Sequence, residues 1–517
     1  MKRINESLVL NHYIDIMKAD KITFLVNHKD LYGEIEDLMM VLNHHSSMNK
    51  KIQAAKSLWK LLFRTAMSYI DPDQRGYDDL FKFFDEYVEF EELIFASDSY
   101  YRDHTLHCLW VYFLGVYLRT TEEFKEVINI DQMSNENLGF FEYVSQNHQD
   151  HKNIGIIQQI TDIMTAQVKY EQSIFCVAAL THDLGYPIKK ISKINKSIKS
   201  ILPYFGIKNY DEFNFDYTAI QQHFNQRFIE MLSIEPIFDL NVSPPESKRS
   251  QFEDLASKII KTNITGESYV DIHSFKSLTP EEQNAIIDAL VASRNEYTNY
   301  PLELRYSDDI EQYQHGIMSA FLLTKIVHSF KNMELIINNN KSNLNLHKDS
   351  NYARFITKQS ILTAIADHTS QGYRIKGIQE HSQLLTFIDE LEEFSRITRA
   401  NQNREFINEF CETELFYEGG YFYINFIFNN EQIDGLDPEF AFKGRCKKAL
   451  SLFDIENLDP RLKIKMSCIG DLAYDQNKYT IEIRNKYACI TINDEEKDIP
   501  SYLKSYNFMT REAYENL

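Results

Sequence analysis

An adjacent histidine and aspartate, His182 and Asp183, are the residues in this sequence best suited to metal chemistry. An apolar run from Ile174 to Leu180 leads into the pair, and Gly185 and Pro187 then end the segment. The run predicts a buried helix whose end carries both side chains. A carboxylate can bridge two metal ions while the neighbouring imidazole binds one of them. The pair alone does not separate a metal site from a surface dipeptide, so its meaning depends on the rest of the chain.

Four further histidine and aspartate residues lie in short motifs of their own. They are His104 in Arg102-Asp103-His104-Thr105, His315 in Gln314-His315-Gly316-Ile317, His368 in Ala366-Asp367-His368 and Asp389 in Phe387-Ile388-Asp389-Glu390-Leu391. In order and context these motifs resemble the HD-domain superfamily of metal-dependent phosphohydrolases. The pattern of that family is a His, a His-Asp pair, one or two more His and a late Asp. The resemblance covers about residues 95 to 400.

The resemblance implies a helical core that binds two divalent metal ions, of Mn, Fe, Mg or Zn. The implied ligands are His104, His182, Asp183 and Asp389 for one ion, and His315 and His368 for a second ion that Asp183 bridges. Imidazole and carboxylate ligands suit these metals better than soft ones. The implied reaction is hydrolysis of a phosphate ester by a metal-activated water, which requires no side-chain nucleophile. We predict that the ester is a nucleotide.

The residues after the His-Asp pair depart from one branch of the superfamily. That branch has a lysine there that contacts the phosphate, whereas this chain has Tyr186. Lys189 or Lys190 could take over the contact. The predicted catalytic residues are therefore Asp183, Tyr186 and Lys189. Which nucleotide or other phosphate ester is hydrolysed stays open.

Two assignments beside the ligands have alternatives. His104 is the predicted ligand because Arg102 precedes it and Thr105 follows it; His107 lies three residues later on the same helix face. Both rings could point at a metal, but we predict that His107 packs or forms a hydrogen bond. Asp367 stands where the branch has a second histidine, and it could be an oxygen ligand, an orienting group for the next residue, or an outward-facing side chain.

The same ligand order also fits two other functions. It resembles the di-iron oxygenases that share this fold, for which two irons per chain and oxygen uptake without phosphate release would be expected. A non-catalytic nucleotide sensor is the third hypothesis, and tight nucleotide binding without turnover would favour it.

Composition restricts the remaining possibilities. The chain has 517 residues, 43% hydrophobic and 25% charged, which is typical of a globular protein. Its formal net charge of −21 argues against an extended nucleic-acid surface. No apolar run is long enough for a membrane span and no secretory signal is evident, so we predict a cytoplasmic protein.

The predicted partner is a small phosphorylated molecule, and homo-oligomerisation stays open. The six cysteines form no CxxC pair, which predicts reduced, buried thiols.

The elements predict a mainly α fold: an HD-type helical core with a helical N-terminal extension and an insertion, followed by a small C-terminal α+β domain. The predicted ranges are 1–90 for the extension, 91–405 for the core, about 191–305 for the insertion and 406–517 for the last domain. Strand-like alternation near 421–428 marks the change of class.

Three helices that carry predicted ligands have predicted bounds. The first should begin near Ser99 and run through Leu118. The helix that His315 opens should continue through Phe330. The last core helix should extend from 384 to 400.

Overall fold

The computed structural model describes most of the chain, with gaps. The described residues are 4–43, 47–95, 100–125, 127–128, 130, 132–207, 211–213, 217–235, 249–262, 268–292, 297–298, 300–331, 333, 352–392, 396–398, 405–406, 411–430 and 436–498.

Helices dominate these residues. In chain order they are α1 Glu6–Lys18, α2 Tyr32–Asn43, α3 Met48–Ile70, α4 Tyr77–Phe95, α5 His104–Thr120, α6 Gln132–Asn147, α7 Ile154–Thr181, α8 Tyr186–Ile201, α9 Ala219–Leu232, α10 Arg249–Ile259, α11 Ile272–Lys276, α12 Pro280–Ala292, α13 Tyr300–Glu311, α14 His315–Ile326, α15 His328–Lys331, α16 Tyr352–Asp367, α17 His381–Leu391 and α18 Pro438–Leu452.

The strands are short before residue 411 and longer after it. They are β1 Tyr100–Arg102, β2 Ile234–Glu235, β3 Ile260–Thr262, β4 Ser268–Val270, β5 Tyr297–Thr298, β6 Arg396–Thr398, β7 Glu405–Phe406, β8 Glu412–Glu418, β9 Tyr421–Phe428, β10 Ile464–Gly470, β11 Lys478–Arg484, β12 Tyr487–Ile492 and β13 Glu495–Lys497. The predicted fold class, mainly α with a small C-terminal α+β region, is confirmed.

Helix α7 lies at the centre of the helical part. It packs against α3, α5, α6 and α16. The apolar run from Ile174 to Leu180 is buried throughout, as its composition predicts. The indole Nε1 of Trp59 on α3 donates a hydrogen bond of 2.6 Å to the carbonyl of Leu180, and the Trp59 ring stacks on Phe84 of α4. This packing fixes the end of α7, where the His-Asp pair follows.

The predicted bounds of the ligand-bearing helices need correction. Helix α5 begins at His104 because Asp103 caps it, its carboxylate accepting a hydrogen bond from the Leu106 amide. Arg102 belongs instead to β1, which pairs antiparallel with β6, so the chain from 396 to 398 is a strand and α17 ends at Leu391. Residue 99 lies outside the described part of the chain.

The helix that His315 opens is also shorter than predicted. Helix α14 ends at Ile326, the extended residue Val327 interrupts it, and α15 follows. The amide of His328 donates to the carbonyl of Arg75, a residue of the loop before α4, rather than to a carbonyl of α14. A contact outside the helix therefore replaces the next intrahelical hydrogen bond.

The chain after residue 411 forms a six-stranded sheet in the order β13-β12-β11-β10-β9-β8, in which only the β9–β10 pair among the described strands is parallel. Alternate residues of β9 are buried, and α18 covers β10 and β11. The Phe422 ring lies 5.1 Å from the ring of Phe124 and 5.7 Å from that of Phe387, so the sheet packs directly on the helices.

The segment 191–305 contributes helices α9 to α12 and parts of α8 and α13. Helices α10, α11 and α12 share a second buried apolar cluster with α6 and the first half of α7, centred on Phe140, Phe275 and Ile287. The predicted domain boundaries themselves stay a prediction. Within the described ranges, no helix has both the length and the apolar character that a bilayer crossing requires.

Glycine at position 185 permits a close approach of α14 to the His-Asp turn. A Cβ atom there would lie 2.4 Å from the His315 carbonyl oxygen and 2.6 Å from the Ser319 amide. We expect Gly185→Ala to lower the free energy of unfolding by roughly 1–3 kcal/mol, because backbone must move to accommodate the methyl group. Chemical denaturation measures this loss.

The matched control is Gly139→Ala in the middle of α6, where an added Cβ meets nothing within 4 Å. Alanine is the better helix former, so the control should be neutral or gain up to about 1 kcal/mol. Equal losses in both variants would contradict the close approach at Gly185.

Candidate metal centre

Five elements bring histidine and carboxylate side chains to one buried point. His182 and Asp183 follow the last residue of α7, and His107 lies one turn into α5. His315 is the first residue of α14, His368 follows the last residue of α16, and Asp389 lies in α17. The structure therefore brings together predicted ligands that are distant in the chain. His182 and Asp389, for example, are 207 residues apart in the sequence but lie side by side.

The two carboxylate oxygens of Asp183 face different sets of histidines. Its Oδ2 lies 3.4 Å from Nε2 of His182 and 3.7 Å from Nε2 of His107. Its Oδ1 lies 3.1 Å from Nε2 of His315 and 3.7 Å from Nε2 of His368. This division of partners is what a carboxylate that bridges two metal ions requires.

A second carboxylate completes the Oδ2 side. Oδ1 of Asp389 lies 2.8 Å from Nε2 of His107 and 3.8 Å from Nε2 of His182, and the two imidazole nitrogens are 3.3 Å apart. His107, His182 and Asp389 each place one possible metal-binding atom within 4.8 Å of those of the other two. Asp183, His315 and His368 do the same and form a second possible metal-binding group. Asp389 and His315 have 14% and 21% of their side chains exposed, so the centre opens on their side.

The orientation of the rings is fixed from behind. Nδ1 of His182 donates to the carbonyl of Ala179 at 2.8 Å, and Nδ1 of His368 donates to the carbonyl of Ile365 at 2.6 Å. Nδ1 of His107 contacts the carboxylate of Glu392, which is fully buried, at 2.5 Å. Each ring then presents Nε2 to the centre, which is the arrangement that metal-binding histidines adopt.

The ionisable side chains of the centre shift one another's pKa values. Burial by itself would raise the pKa of Asp183, but His182, His315 and His368 together hold it well below its usual range. Burial by itself would lower the pKa of His182, yet the adjacent Asp183 carboxylate raises it well above its usual value. Burial lowers the pKa of His368, which keeps that ring neutral and able to bind a cation.

His107, rather than His104, lies nearest to Asp389, so the geometry favours His107 at the position for which the sequence predicted His104. The ring of His104 turns toward Glu91 of α4, with Nδ1 in contact with the buried carboxylate. Its Nε2 lies 3.9 Å from Oδ2 of Asp183, at the edge of the group. The His104 ring faces α4, whereas the His107 ring, one turn later, faces α17.

Two carboxylates that sequence reasoning missed support these rings. Glu392 follows Asp389 by three residues, a spacing that places both on one helix face and could have indicated a joint role. Glu91 lies in an acidic stretch of an amphipathic helix, and no feature of its sequence context distinguishes it from a solvent-facing residue.

Asp367 points away from the histidines. Its Oδ1 accepts a hydrogen bond from Nη2 of Arg305 at 2.5 Å and another from the hydroxyl of Tyr306 at 2.9 Å. Of the three roles that the sequence left open, the geometry does not support the metal ligand, since both partners lie on α13 rather than in the metal centre; the side chain is also buried rather than outward-facing.

The predicted catalytic residues on α8 lie beside the centre. The ring of Tyr186 is 4.1 Å from the ring of His104 and 5.4 Å from that of His315. Nζ of Lys190 lies 4.4 Å over the Tyr186 ring, and its burial lowers the pKa of the amine. Nζ of Lys189 donates to the side chain of Gln314, directly before His315, at 3.2 Å.

The donor set fits hard or intermediate divalent cations. It consists of imidazole nitrogens and carboxylate oxygens. Nε2 of His368 is directed at Asp183; this buried nitrogen has no hydrogen-bond partner among the described residues. Cys108 lies near His182 and Asp183, but burial raises the pKa of its thiol to about 11, so it stays protonated and binds metal poorly. All six cysteines are buried and none forms a disulfide.

Comparisons of this chain with protein-family models, with curated proteins and with solved structures find no match.

Proposed function

We propose that the chain is a cytoplasmic, metal-dependent phosphohydrolase of the HD type, which hydrolyses a phosphate ester of a nucleotide with two divalent metal ions. One observation carries the proposal: the two oxygens of Asp183 face separate sets of histidines, which is the arrangement a bridging ligand needs. His107, His182 and Asp389 would hold one ion with Asp183, and His315 and His368 would hold the other. The order of these residues in the sequence is the order in which the resembling family carries its ligands.

Two bound cations of this kind polarise a phosphoryl group and lower the pKa of a water between them. The protein contributes the orientation of the imidazoles. His107, His182 and His368 are held through Nδ1 by Glu392 and by two backbone carbonyls, so their Nε2 atoms are directed inward without reorganisation.

Residues of α8 would receive the substrate. Tyr186 lies between His104 and His315 at the edge of the centre, and Lys189 and Lys190 follow on the same helix. A lysine near the metals offsets the charge of a phosphate group. Because the chain as a whole carries a formal charge of −21, this local positive charge is needed to attract an anionic substrate.

Metal binding should depend on pH in a defined direction. The pKa of His182 is raised by Asp183, so the metal-free protein keeps this ring protonated near neutral pH, and a cation must displace the proton. The apparent affinity for Mn²⁺ should therefore rise with pH, by up to about tenfold per pH unit below that pKa. Calorimetric titrations at about pH 6, 7 and 8, in buffers of different ionisation enthalpy, measure both the affinity and the released proton. An affinity that falls as pH rises would contradict this account of His182.

Phosphate release tests the function itself. The full chain, loaded in turn with Mn²⁺, Fe²⁺, Mg²⁺ or Zn²⁺, would be assayed on nucleoside mono-, di- and triphosphates and on cyclic dinucleotides. We expect metal-dependent release from at least one of these classes, and its absence with an Asp389→Asn variant. Glu390→Gln is the control. Glu390 is the residue after Asp389, but its carboxylate contacts Lys448 instead of the histidines. Oxygen uptake without phosphate release would refute the phosphohydrolase and favour the oxygenase.

A further inference from the structure

The end of helix α8 carries large apolar side chains into solvent. Tyr204 is 92% exposed and Phe205 is 75% exposed, and Ile201, Ile207 and Phe213 are exposed as well. These five are nearly half of the eleven large hydrophobic residues that are exposed in the described part of the chain. Single exposed apolar residues are normal on a protein surface, whereas a local concentration of them marks an interaction site.

This end of α8 projects from the body of the protein. Helix α8 packs on α14, and Lys189 of its first turn contacts the chain just before α14. From residue 196 to residue 207, by contrast, no residue is buried and ten of the twelve are exposed. A helix end that is exposed on all sides is convex and offers no groove for a peptide. We call this projection, residues 195–207 with 211–213, the finger.

Hydrogen bonds hold the finger in shape. Helix α8 continues into a 3-10 turn, Leu202–Phe205, and Gly206 follows with a φ of +74° and donates its amide to the carbonyl of Pro203 at 3.0 Å. The side-chain amide of Asn195 forms two hydrogen bonds with the backbone of Phe213, of 2.8 and 3.0 Å. The exposed apolar side chains are therefore presented by a hydrogen-bonded backbone.

Positive charge accompanies the apolar side chains. From residue 186 to residue 213 the sequence contains six lysines against one aspartate and one glutamate, in a chain whose formal net charge is −21. Lys196 and Lys199 are exposed on the finger. Nζ of Lys199 lies 3.4 Å from the carboxylate of Glu212, whereas Lys196 has no ion pair among the described residues. This local positive balance would orient an otherwise acidic protein toward an anionic surface.

The spacing between lysine and aromatic residues matches the depth of a membrane interface. Lys199 precedes Tyr204 by five residues, which is roughly 9 Å along the axis at about 1.5 Å per residue of α-helix and about 2.0 Å per residue of 3-10 helix. The polar layer on each side of a bilayer is about 5–8 Å thick. The aromatic rings therefore reach the acyl boundary when the ammonium groups lie at the level of the lipid phosphates.

We propose that the finger binds the surface of an anionic lipid bilayer. Tyr204 and Phe205 insert into the interface, where aromatic rings are favoured, and Lys196 and Lys199 interact with the lipid headgroups. A second copy of the chain is the less suitable occupant, because two fingers in a symmetric contact would bring like charges together. The inference does not rest on the proposed phosphohydrolase activity.

Flotation with lipid vesicles tests the proposal. The full chain would be mixed with vesicles of phosphatidylcholine alone, or with about 30% phosphatidylserine, at about 0.1 M salt. We expect binding to the anionic vesicles to be at least about tenfold tighter than binding to the neutral ones, and to weaken strongly at about 1 M salt.

A matched pair of double variants tests the aromatic residues. Tyr204→Ser with Phe205→Ser should weaken binding at least about tenfold, because two rings no longer leave water for the interface. The control is Phe440→Ser with Tyr474→Ser, which removes the same two side-chain types at positions that are 76% and 66% exposed outside the finger. The control should bind the vesicles as the wild type does.

A matched pair of single variants tests the lysines. Lys196→Gln should weaken binding to the anionic vesicles about fivefold. Lys478→Gln changes an exposed lysine at the start of β11 and should have no effect.

Three results would overturn the proposal. The first is a wild-type chain that does not bind the anionic vesicles. The second is an equal loss of binding in the finger double variant and in its control. The third is a wild-type dimer, seen by analytical ultracentrifugation without lipid, that the finger double variant abolishes while vesicle binding is absent; this would assign the finger to a second copy of the chain.

Discussion

Asp183→Asn is expected to remove both metal ions from the protein and to abolish phosphate release. The change keeps the size of the side chain but removes the negative charge that two sets of histidines share, with Oδ1 facing His315 and Oδ2 facing His182. We expect the metal content to fall from about two ions per chain to well below one, and phosphate release to fall on the order of 10³-fold or more. Elemental analysis of the dialysed protein measures the first effect, and the phosphate-release assay measures the second.

Glu390→Gln serves again as the matched control for Asp183→Asn. It removes the same charge, but the Glu390 carboxylate lies 2.7 Å from Nζ of Lys448 at the surface. Metal content and activity should stay at the wild-type level in this control. If Asp183→Asn keeps two ions per chain, Asp183 does not bridge them and the ligand assignment fails.

The second large effect should distinguish the two histidines of α5. His107→Gln removes a ring whose Nε2 lies 2.8 Å from Asp389 and whose Nδ1 contacts Glu392. We expect this variant to lose the ion on the Oδ2 side of Asp183 and to lose activity about as completely as Asp183→Asn. It should also lose roughly 1–3 kcal/mol of stability, because the buried Glu392 carboxylate loses its hydrogen bond to Nδ1 of His107.

His104→Gln is the comparison that decides between the sequence assignment and the geometry. The ring of His104 pairs with Glu91, and its Nε2 is 3.9 Å from Asp183, farther than Nε2 of His107. The variant should therefore keep both ions, at an affinity reduced by about 10–100-fold, the cost typical of a supporting residue. The opposite result, in which His104→Gln loses an ion and His107→Gln keeps it, would restore His104 as the ligand.

The sequence was sufficient to predict a buried helix leading into His182 and Asp183, because the apolar run before them has no polar interruption. It also predicted the set of later residues, His315, His368 and Asp389, that the structure places around Asp183. These predictions work because local composition decides whether an element is buried, and each motif lies at the end or on the inner face of such an element.

The choice between His104 and His107 could not be made from the sequence. Both lie on one face of the same helix, and the choice depends on the rotation of α5 against α4 and α17. That rotation depends on contacts with distant parts of the chain; β1, just before α5, pairs for example with β6, nearly 300 residues later. Glu91 and Glu392 were missed for the same reason, since their partners lie on other helices.

The C-terminal strands illustrate the same limit. Alternation in Tyr421–Phe428 predicts a strand with one buried face, and the structure buries alternate residues there. Alternation carries no information about which strands lie next to each other in the sheet. The parallel pairing of β9 with β10, two strands that α18 separates in the chain, could therefore not be predicted.

Anomalous X-ray diffraction from crystals grown with Mn²⁺ tests the central claim most directly. The account predicts two anomalous peaks per chain, one bounded by His107, His182 and Asp389 and the other by His315 and His368, with Asp183 between them. A single peak, or peaks that do not contact Asp183, would contradict it.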